Sequence, residues 1–161
     1  MLNKSEVMML IEQAGLDAQF RENSKNHWSD GVKKISEVPT YYQEHLVDYQ
    51  LTVFKYVSEN LIDISLVLYN DNKTCGVWPL YLDSGKEDPI KSINDNYGGV
   101  IVPPLFIENF PKKSQRKIIK ACIRFLNSLV TKSKGEVWRS SELSAKVNVS
   151  QWHQLLSLIH I

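Results

Sequence analysis

The sequence lacks the patterns that most often assign a function directly. Its 161 residues include only two cysteines, Cys75 and Cys122, and neither stands in a metal-ligand or redox spacing. Both lie in apolar runs, which predicts small buried side chains in a reducing compartment and leaves a disulfide between them open. The four histidines form no ligand cluster, so we predict no metal site. No run approaches the roughly 18 apolar residues of a membrane span, and we expect a cytoplasmic protein without stable membrane insertion.

Glycine is also sparse and is not arranged to hold a phosphate group. Phosphate-binding loops place glycines in front of a helix, because backbone N–H groups must approach the anion closely. The sequence has seven glycines, at positions 15, 31, 76, 85, 98, 99 and 135, and they form no such fingerprint. The pair Gly98-Gly99 precedes a predicted strand, where it marks either an ordinary turn or a close approach to another backbone.

Acidic residues are missing from one long stretch. Eight of the 19 lysine and arginine residues, and none of the 18 acidic residues, lie between Lys112 and Lys134. The formal net charge of +1 does not reveal this uneven distribution of charge along the chain. Two interpretations stay open: a surface for anions, or the ordinary charged face of a solvated helix.

The strongest pattern that is present predicts a β-hairpin over residues 62–82. Two runs rich in β-branched and aromatic residues flank the polar sequence Asn-Asp-Asn-Lys at residues 70–73, and Asn and Asp tolerate turn dihedral angles. Residues 64–69 are nearly all apolar, which is typical of a central strand with both faces covered. We therefore expect Val67 and Val77 to be buried on paired antiparallel strands.

Helices and short strands are predicted around this hairpin. Ser5 is expected to cap a first helix that Gly15 ends. Residues 16–38 are expected to be weakly structured, with another short helix within them left open. Thr40 and Gln43 form a capping-box pattern before a helix that ends near Val57. Later elements are a strand at 100–102, an amphipathic helix at 113–132, a strand at 136–140 and a last helix over 152–159. The pattern predicts a mixed α/β (α+β) fold with a largely antiparallel sheet flanked by helices, divided into a lead-in, 1–38, and a domain, 39–161.

Three segments resemble the FemAB-like branch of the GNAT-type acyltransferases. They are SLVLYNDNKTCGVWPL at residues 65–80, NYGGVIVPP at 96–104 and SQWHQ at 150–154. The resemblance implies a GNAT-like fold and the substrate-holding first half of a transferase that moves an acyl or aminoacyl group to a cell-envelope or glycan precursor. It also implies a second half beyond residue 161, without which we expect the chain to be inactive.

The same resemblance implies a substrate cleft. Its lining would be Asn96, Tyr97, Gly98, Gly99 and Trp138, although Tyr97 and Trp138 could equally be core or rim aromatics. A complete protein would use acyl-CoA or aminoacyl-tRNA, but the GNAT loop Gln/Arg-x-x-Gly-x-Gly/Ala is absent, so we expect no cofactor in this chain. The partner would be a small-molecule or lipid-linked glycan precursor, with nucleic acid expected only as a tRNA-borne donor.

The sequence assigns no catalytic residue. Asp63 and Glu136 are candidate general bases by position alone, and His153 is expected on a helix surface. Cys75 would need a base partner and a lowered pKa to act as a nucleophile.

A second functional class competes with the transferase. It is a non-catalytic binding module that holds an anionic partner through the predicted helix 113–132. Spacings of four, three and four residues place its candidate side chains on one side of that helix: Lys113, Lys117, Lys120 and Arg124. A diphosphate-linked precursor, nucleic acid or an acidic membrane surface would carry the matching charge.

Overall fold

The computed structural model describes residues 2–56, 58–83, 100–132, 139 and 140, and also residues 152 and 155. Its helices are α1 (Lys4–Gln13), α2 (Lys25–Lys33), α3 (Glu44–Lys55) and α4 (Lys112–Lys132). Its strands are β1 (Ala18–Phe20), β2 (Leu61–Asp63), β3 (Leu66–Asn70), β4 (Lys73–Trp78), β5 (Tyr81–Asp83), β6 (Val100–Ile101), β7 (Leu105–Phe106) and β8 (Arg139–Ser140). The mixed α/β class with a largely antiparallel sheet is confirmed, while the finer GNAT assignment stays a prediction.

The hairpin of β3 and β4 forms the centre of the main sheet. Val67 pairs with Val77 in the antiparallel register, and both side chains are fully buried. Asp71 and Asn72 connect the strands with φ angles of 52° and 61°. Two consecutive positive φ angles are the geometry of the tight turn whose twist matches that of paired strands. The predicted hairpin, with Val67 and Val77 buried on paired antiparallel strands, is therefore confirmed.

The main sheet has the strand order β1-β3-β4-β7, and every neighbouring pair is antiparallel. Strand β7 crosses close to Gly76 of β4, where a Cβ atom would clash with the backbone oxygen of Leu105. Glycine at this position therefore permits the β4–β7 pairing. Two smaller sheets join β2 to β5 in antiparallel fashion and β6 to β8 in parallel fashion.

The two faces of the main sheet bury separate clusters of side chains. Leu66 and Leu68 belong to a first cluster with α1 and α4, whereas Val67 and Tyr69 belong to a second cluster with α2 and α3. This division follows from the alternation of side chains along a strand. It confirms that the central strand is covered on both faces.

The N-terminal section is more ordered than the sequence suggested. Residues 16–38 contain β1, a 3₁₀ turn at Arg21–Asn23 and α2. Strand β1 pairs with β3, and the fully buried Trp28 donates its indole N–H to the Tyr42 carbonyl oxygen at 3.0 Å. The division at residue 38 stays a prediction, and the described part of residues 1–38 contributes to the same clusters as the remainder.

Two predicted helix caps are wrong. Helix α1 is capped by Asn3 and not by Ser5, because the Asn3 side chain accepts from the Glu6 N–H and the Glu6 carboxylate accepts from the Asn3 N–H, both at 3.0 Å. The expected capping box at Thr40 is replaced by a 3₁₀ turn over Thr40–Tyr42. Helix α3 then begins at Glu44, and its N-cap residue makes no side-chain capping bond.

The described residues near the end of the chain are buried. Trp152 packs edge-on against Trp78 with ring centroids 6.1 Å apart, and Leu155 is 4% exposed. Leu155 belongs to the first cluster. The other apolar positions of the predicted last helix lie outside the described residues. No helix in the described part of the chain is both long and apolar enough to cross a membrane.

Candidate functional site

Helix α4 separates an apolar face from a basic one. Its buried side chains include an apolar stripe that packs in the first cluster: Ile118, Cys122, Phe125 and Leu129. This confirms the amphipathic helix, since apolar residues at spacings of three and four share one face. The opposite side and the first residue of the helix are exposed and carry five basic residues, which we call the α4 basic face: Lys112, Lys113, Arg116, Lys117 and Lys120.

The α4 basic face has no acidic counterpart among the described residues. The helix itself contains neither Asp nor Glu. The ion pairs of the described residues all lie elsewhere and join Lys4 to Glu22, Arg21 to Asp48 and Asp63, Lys25 to Asp48, and Lys33 to Asp30. The structure therefore keeps three of the four predicted anion-binding residues together, exposed and without a described carboxylate partner: Lys113, Lys117 and Lys120.

Arg124, the fourth predicted member, has a different environment. Its Nε and Nη2 atoms donate to the Ala14 carbonyl oxygen at 3.1 and 2.8 Å. Ala14 is the C-cap residue of α1, where carbonyl groups lack helical partners and the helix dipole favours a cation. Arg124 thus ties α1 to α4, and its role in anion binding stays a prediction.

The helix dipole adds to the positive charge of this face. Lys112 and Lys113 lie in the first turn of α4, which has no acidic residue. A helix N-terminus carries a partial positive charge and is stabilised by acidic side chains, so two lysines there oppose helix stability. Helix formation alone therefore does not explain this arrangement of charge.

A second candidate is a groove between α2 and the start of α3. Its volume is about 420 Å³, and its lining mixes both signs of charge: Ser29, Val32, Lys33, Gln43, Glu44, His45 and Asp48. The Ser29 hydroxyl donates to the Glu44 carboxylate across the groove. Because Lys33 lies in the same lining as Glu44 and Asp48, the electrostatic potential of the groove does not favour ligands of one charge.

Beside this groove, Arg21 is almost completely buried and holds two carboxylates. It donates to Asp63 at 3.1 and 3.0 Å and to Asp48 at 2.7 Å, and its guanidinium carbon lies 5.8 Å from the centre of the Trp28 ring. Burial alone would lower the pKa of Arg21, but the two carboxylates outweigh it and raise that pKa above its ordinary value. Burial likewise favours a higher pKa for Asp48, yet Arg21 outweighs it and lowers that pKa.

This cluster gives Asp63 a structural role. Besides the two bonds from Arg21, its second oxygen accepts the Ser65 N–H at 2.9 Å. A carboxylate engaged in this way fixes the start of the hairpin, and no described group stands as its proton-transfer partner. Sequence reasoning missed Arg21 itself, because a lone arginine in a polar stretch gives no signal of burial.

The remaining predicted site residues divide into inert and undescribed ones. Cys75 and Cys122 are free and buried, which confirms their interpretation as small apolar side chains. Burial raises the pKa of Cys75 to about 12, so its thiol is protonated at neutral pH. Several predicted positions lie outside the described residues and stay predictions: Asn96, Tyr97, Gly98, Gly99, Glu136, Trp138 and His153. The described residues contain no group of three or more His, Cys, Asp or Glu side chains that could hold a metal ion.

Comparison with known proteins points away from acyl transfer. No family model matches this chain, and no solved structure matches it. The chain is similar to a curated protein of Methanocaldococcus jannaschii described as "Putative type I restriction enzyme MjaVIIIP endonuclease subunit". The two are 23% identical over an alignment of 133 positions, and the match covers 72% of this chain. The matched region spans only 12% of the length of that relative.

This similarity overturns the functional expectations that the FemAB-like resemblance carried. The identification as half of a FemAB-like transferase is wrong, because the similarity leads to a restriction enzyme subunit and none of the comparisons leads to an acyltransferase. The expected cell-envelope role and the lipid-linked glycan partner are wrong for the same reason. The expectation that nucleic acid enters only as a tRNA-borne donor is likewise corrected. The expected absence of a cofactor stays a prediction.

Proposed function

We propose that this chain binds nucleic acid, specifically DNA, through the α4 basic face. The observation that carries the proposal is a row of exposed cations without a described carboxylate partner, on a helix whose opposite side is fixed in the core. Phosphates are the anions that such a row fits, because each Lys or Arg that neutralises a phosphate releases a condensed counterion.

The spacing of these cations destabilises the helix when no anion is bound. Like charges four residues apart on a helix repel each other by about 0.2–0.5 kcal/mol per pair. Helix α4 has four such pairs: Lys112 with Arg116, Lys113 with Lys117, Arg116 with Lys120, and Lys120 with Arg124. An ordinary solvated helix intersperses acidic residues and avoids this repulsion. A polyanion bound along the face would relieve it, which supports a binding role.

The relative favours DNA over other polyanions. A restriction endonuclease cuts DNA, and the chain is similar to a segment of a protein described as a subunit of such an enzyme. We therefore propose that this chain acts in DNA processing, with the α4 basic face as a point of contact. The proposal includes a cytoplasmic location, which the two free cysteines support because thiols persist in reducing compartments.

The test is a comparison of DNA affinity between two variants of equal charge. The first, K113Q/K117Q/K120Q, removes three cations from the α4 basic face. The control, K34Q/K55Q/K73Q, removes three exposed lysines from other parts of the surface. Glutamine keeps the helix propensity close to that of lysine, so both variants should fold.

Fluorescence anisotropy with a labelled duplex of about 30 base pairs at about 50 mM salt gives the affinities. We expect the first variant to bind at least about tenfold more weakly than wild type, and the control to stay within about threefold. Equal losses in the two variants would show that only net charge matters. An absence of wild-type binding at low salt would refute the proposed function.

A further inference from the structure

We infer that the α4 basic face contacts the phosphate backbone of double-stranded DNA and does not read base sequence. This inference rests on the proposed function and adds to it the kind of DNA and the kind of contact. It is drawn from the part of the helix surface that stays exposed, from the side chains on that surface, and from the location of the aromatic residues.

Helix α4 is embedded along both of its flanks. Ala121 and Ile123 are 3% and 1% exposed, although they stand on opposite sides of Arg124 on the helix circumference. With about 100° between successive residues, the buried positions span about 200° of the circumference and leave four members of the α4 basic face in the rest: Lys113, Arg116, Lys117 and Lys120. A helix with side chains is about as wide as the major groove, so a helix held on both flanks cannot lie down along that groove.

The exposed chemistry is also that of phosphate binding. Arg and Lys can bond to guanine edges, and Asn and Gln to adenine edges, but Lys lacks the planar fork of Arg and acts on phosphate as a point charge. In α4, Gln115 is buried and donates to the Phe110 carbonyl oxygen at 2.8 Å, and Arg124 donates to Ala14. Asn127 also has an interaction with its surroundings and is not free. Within the α4 basic face, Arg116 has the guanidinium group that can read a base edge, and the other four side chains are lysines.

The helix lacks the groups that hold single strands. Binding of single-stranded DNA relies on exposed aromatic side chains on which bases stack. Phe125, the aromatic residue of α4, is fully buried. Among the described residues, the exposed tyrosines lie within α3 or next to its ends, and α3 packs on the other face of the main sheet: Tyr41, Tyr49 and Tyr56. A duplex presents a denser row of phosphates than a single strand, and it suits a face made of cations alone.

The test measures the affinity of the wild-type chain for several probes of equal length. Three duplexes have the same base composition in different orders, and one probe is single-stranded oligothymidine. We expect the three DNA duplexes to bind within about threefold of one another and the single strand to bind at least about tenfold more weakly. A preference of about a hundredfold or more for one duplex would overturn the inference. A difference of that size between duplexes of equal composition would show that the chain reads base sequence. Equal or tighter binding of the single strand would overturn it as well.

The variant R116K gives an independent check, since it keeps the charge and removes the guanidinium. We expect any change in its affinity to be the same, within about twofold, for all three DNA duplexes, because a phosphate contact does not depend on base order. A loss confined to one duplex would show base reading by Arg116 and would contradict the inference while leaving the proposed function intact. Failure of the wild type to bind any of the probes would instead refute the proposed function.

Discussion

The guanidinium of Arg124 donates two hydrogen bonds to the carbonyl oxygen of Ala14, across 110 positions of the sequence. Through this contact the C-terminal end of α1 is held against α4, so a residue that the sequence assigned to an anion site also joins two helices. Arg124 therefore differs from the exposed lysines on the same side of α4. We expect its substitution to lower stability, and theirs to leave stability nearly unchanged.

Replacing Arg124 by glutamine should lower the free energy of unfolding by about 1 kcal/mol. Hydrogen bonds from charged groups are worth somewhat more than this, but the side chain is exposed and solvent screens part of the interaction. Urea denaturation followed by circular dichroism measures the change. The matched control is K117Q on the same exposed side, which we expect to stay within about 0.5 kcal/mol of wild type. Equal stability of R124Q and wild type would show that the contact contributes nothing to the fold.

Truncating Val67 to alanine should cost about 1–3 kcal/mol, through lost burial and the cavity left behind. Val67 is fully buried opposite Val77 on the central strands. The same substitution at Val53, which is 38% exposed on α3, should change stability by less than about 0.5 kcal/mol. Similar urea midpoints for V67A and V53A would contradict the central position of β3.

The pair of Asp48 with Arg21 should make stability depend on pH in the acidic range. The folded state lowers the pKa of Asp48, so its contribution is present above its ordinary pKa of about 3.9. The contribution is lost as the pH falls through the lowered value, because protonated Asp48 can no longer pair with the buried cation.

Urea denaturation of wild type and D48N between about pH 7 and pH 2 tests this dependence. We expect wild type to be more stable near neutral pH and the difference between the two proteins to shrink steadily on acidification. A difference that does not vary with pH would contradict the pairing.

Cys75 and Cys122 should be unreactive in the folded chain. Both are buried, and burial raises the pKa of each thiol. Because the thiolate is the reactive form, an aromatic disulfide reagent at about pH 7.5 should label neither residue until urea unfolds the protein. Two thiols should then react without added reductant. Rapid labelling of the native protein would show that at least one thiol is accessible.

Local patterns of the sequence were sufficient to predict the hairpin and α4. Asp71 and Asn72 tolerate the positive φ angles of the turn, and the α4 stripe repeats at helical spacing over many residues. The α4 basic face was visible for the same reason, because all of its residues lie on one helix. These features depend on neighbours within a few positions, which a sequence states directly.

Other features depend on partners that are distant in sequence. Arg21 bonds to Asp48 and Asp63, which are 27 and 42 residues away in the sequence. No local sequence pattern predicts these contacts. Strand β1 has only three residues, too few for an alternation to be recognised. The FemAB-like resemblance failed for a related reason: its segments around residues 65–80 describe a buried hairpin, and a hairpin of that kind does not specify a substrate.

The salt dependence of DNA binding tests the central claim most directly. If Lys113, Arg116, Lys117 and Lys120 each neutralise one phosphate, the logarithm of the association constant should fall with the logarithm of salt concentration with a slope of about −3 to −4. The variant K113Q/K117Q/K120Q should show a slope shallower by about 2 to 3. The account predicts this change for that variant and an unchanged slope for K34Q/K55Q/K73Q. If K113Q/K117Q/K120Q showed the same slope as wild type, that result would contradict DNA binding through the α4 basic face.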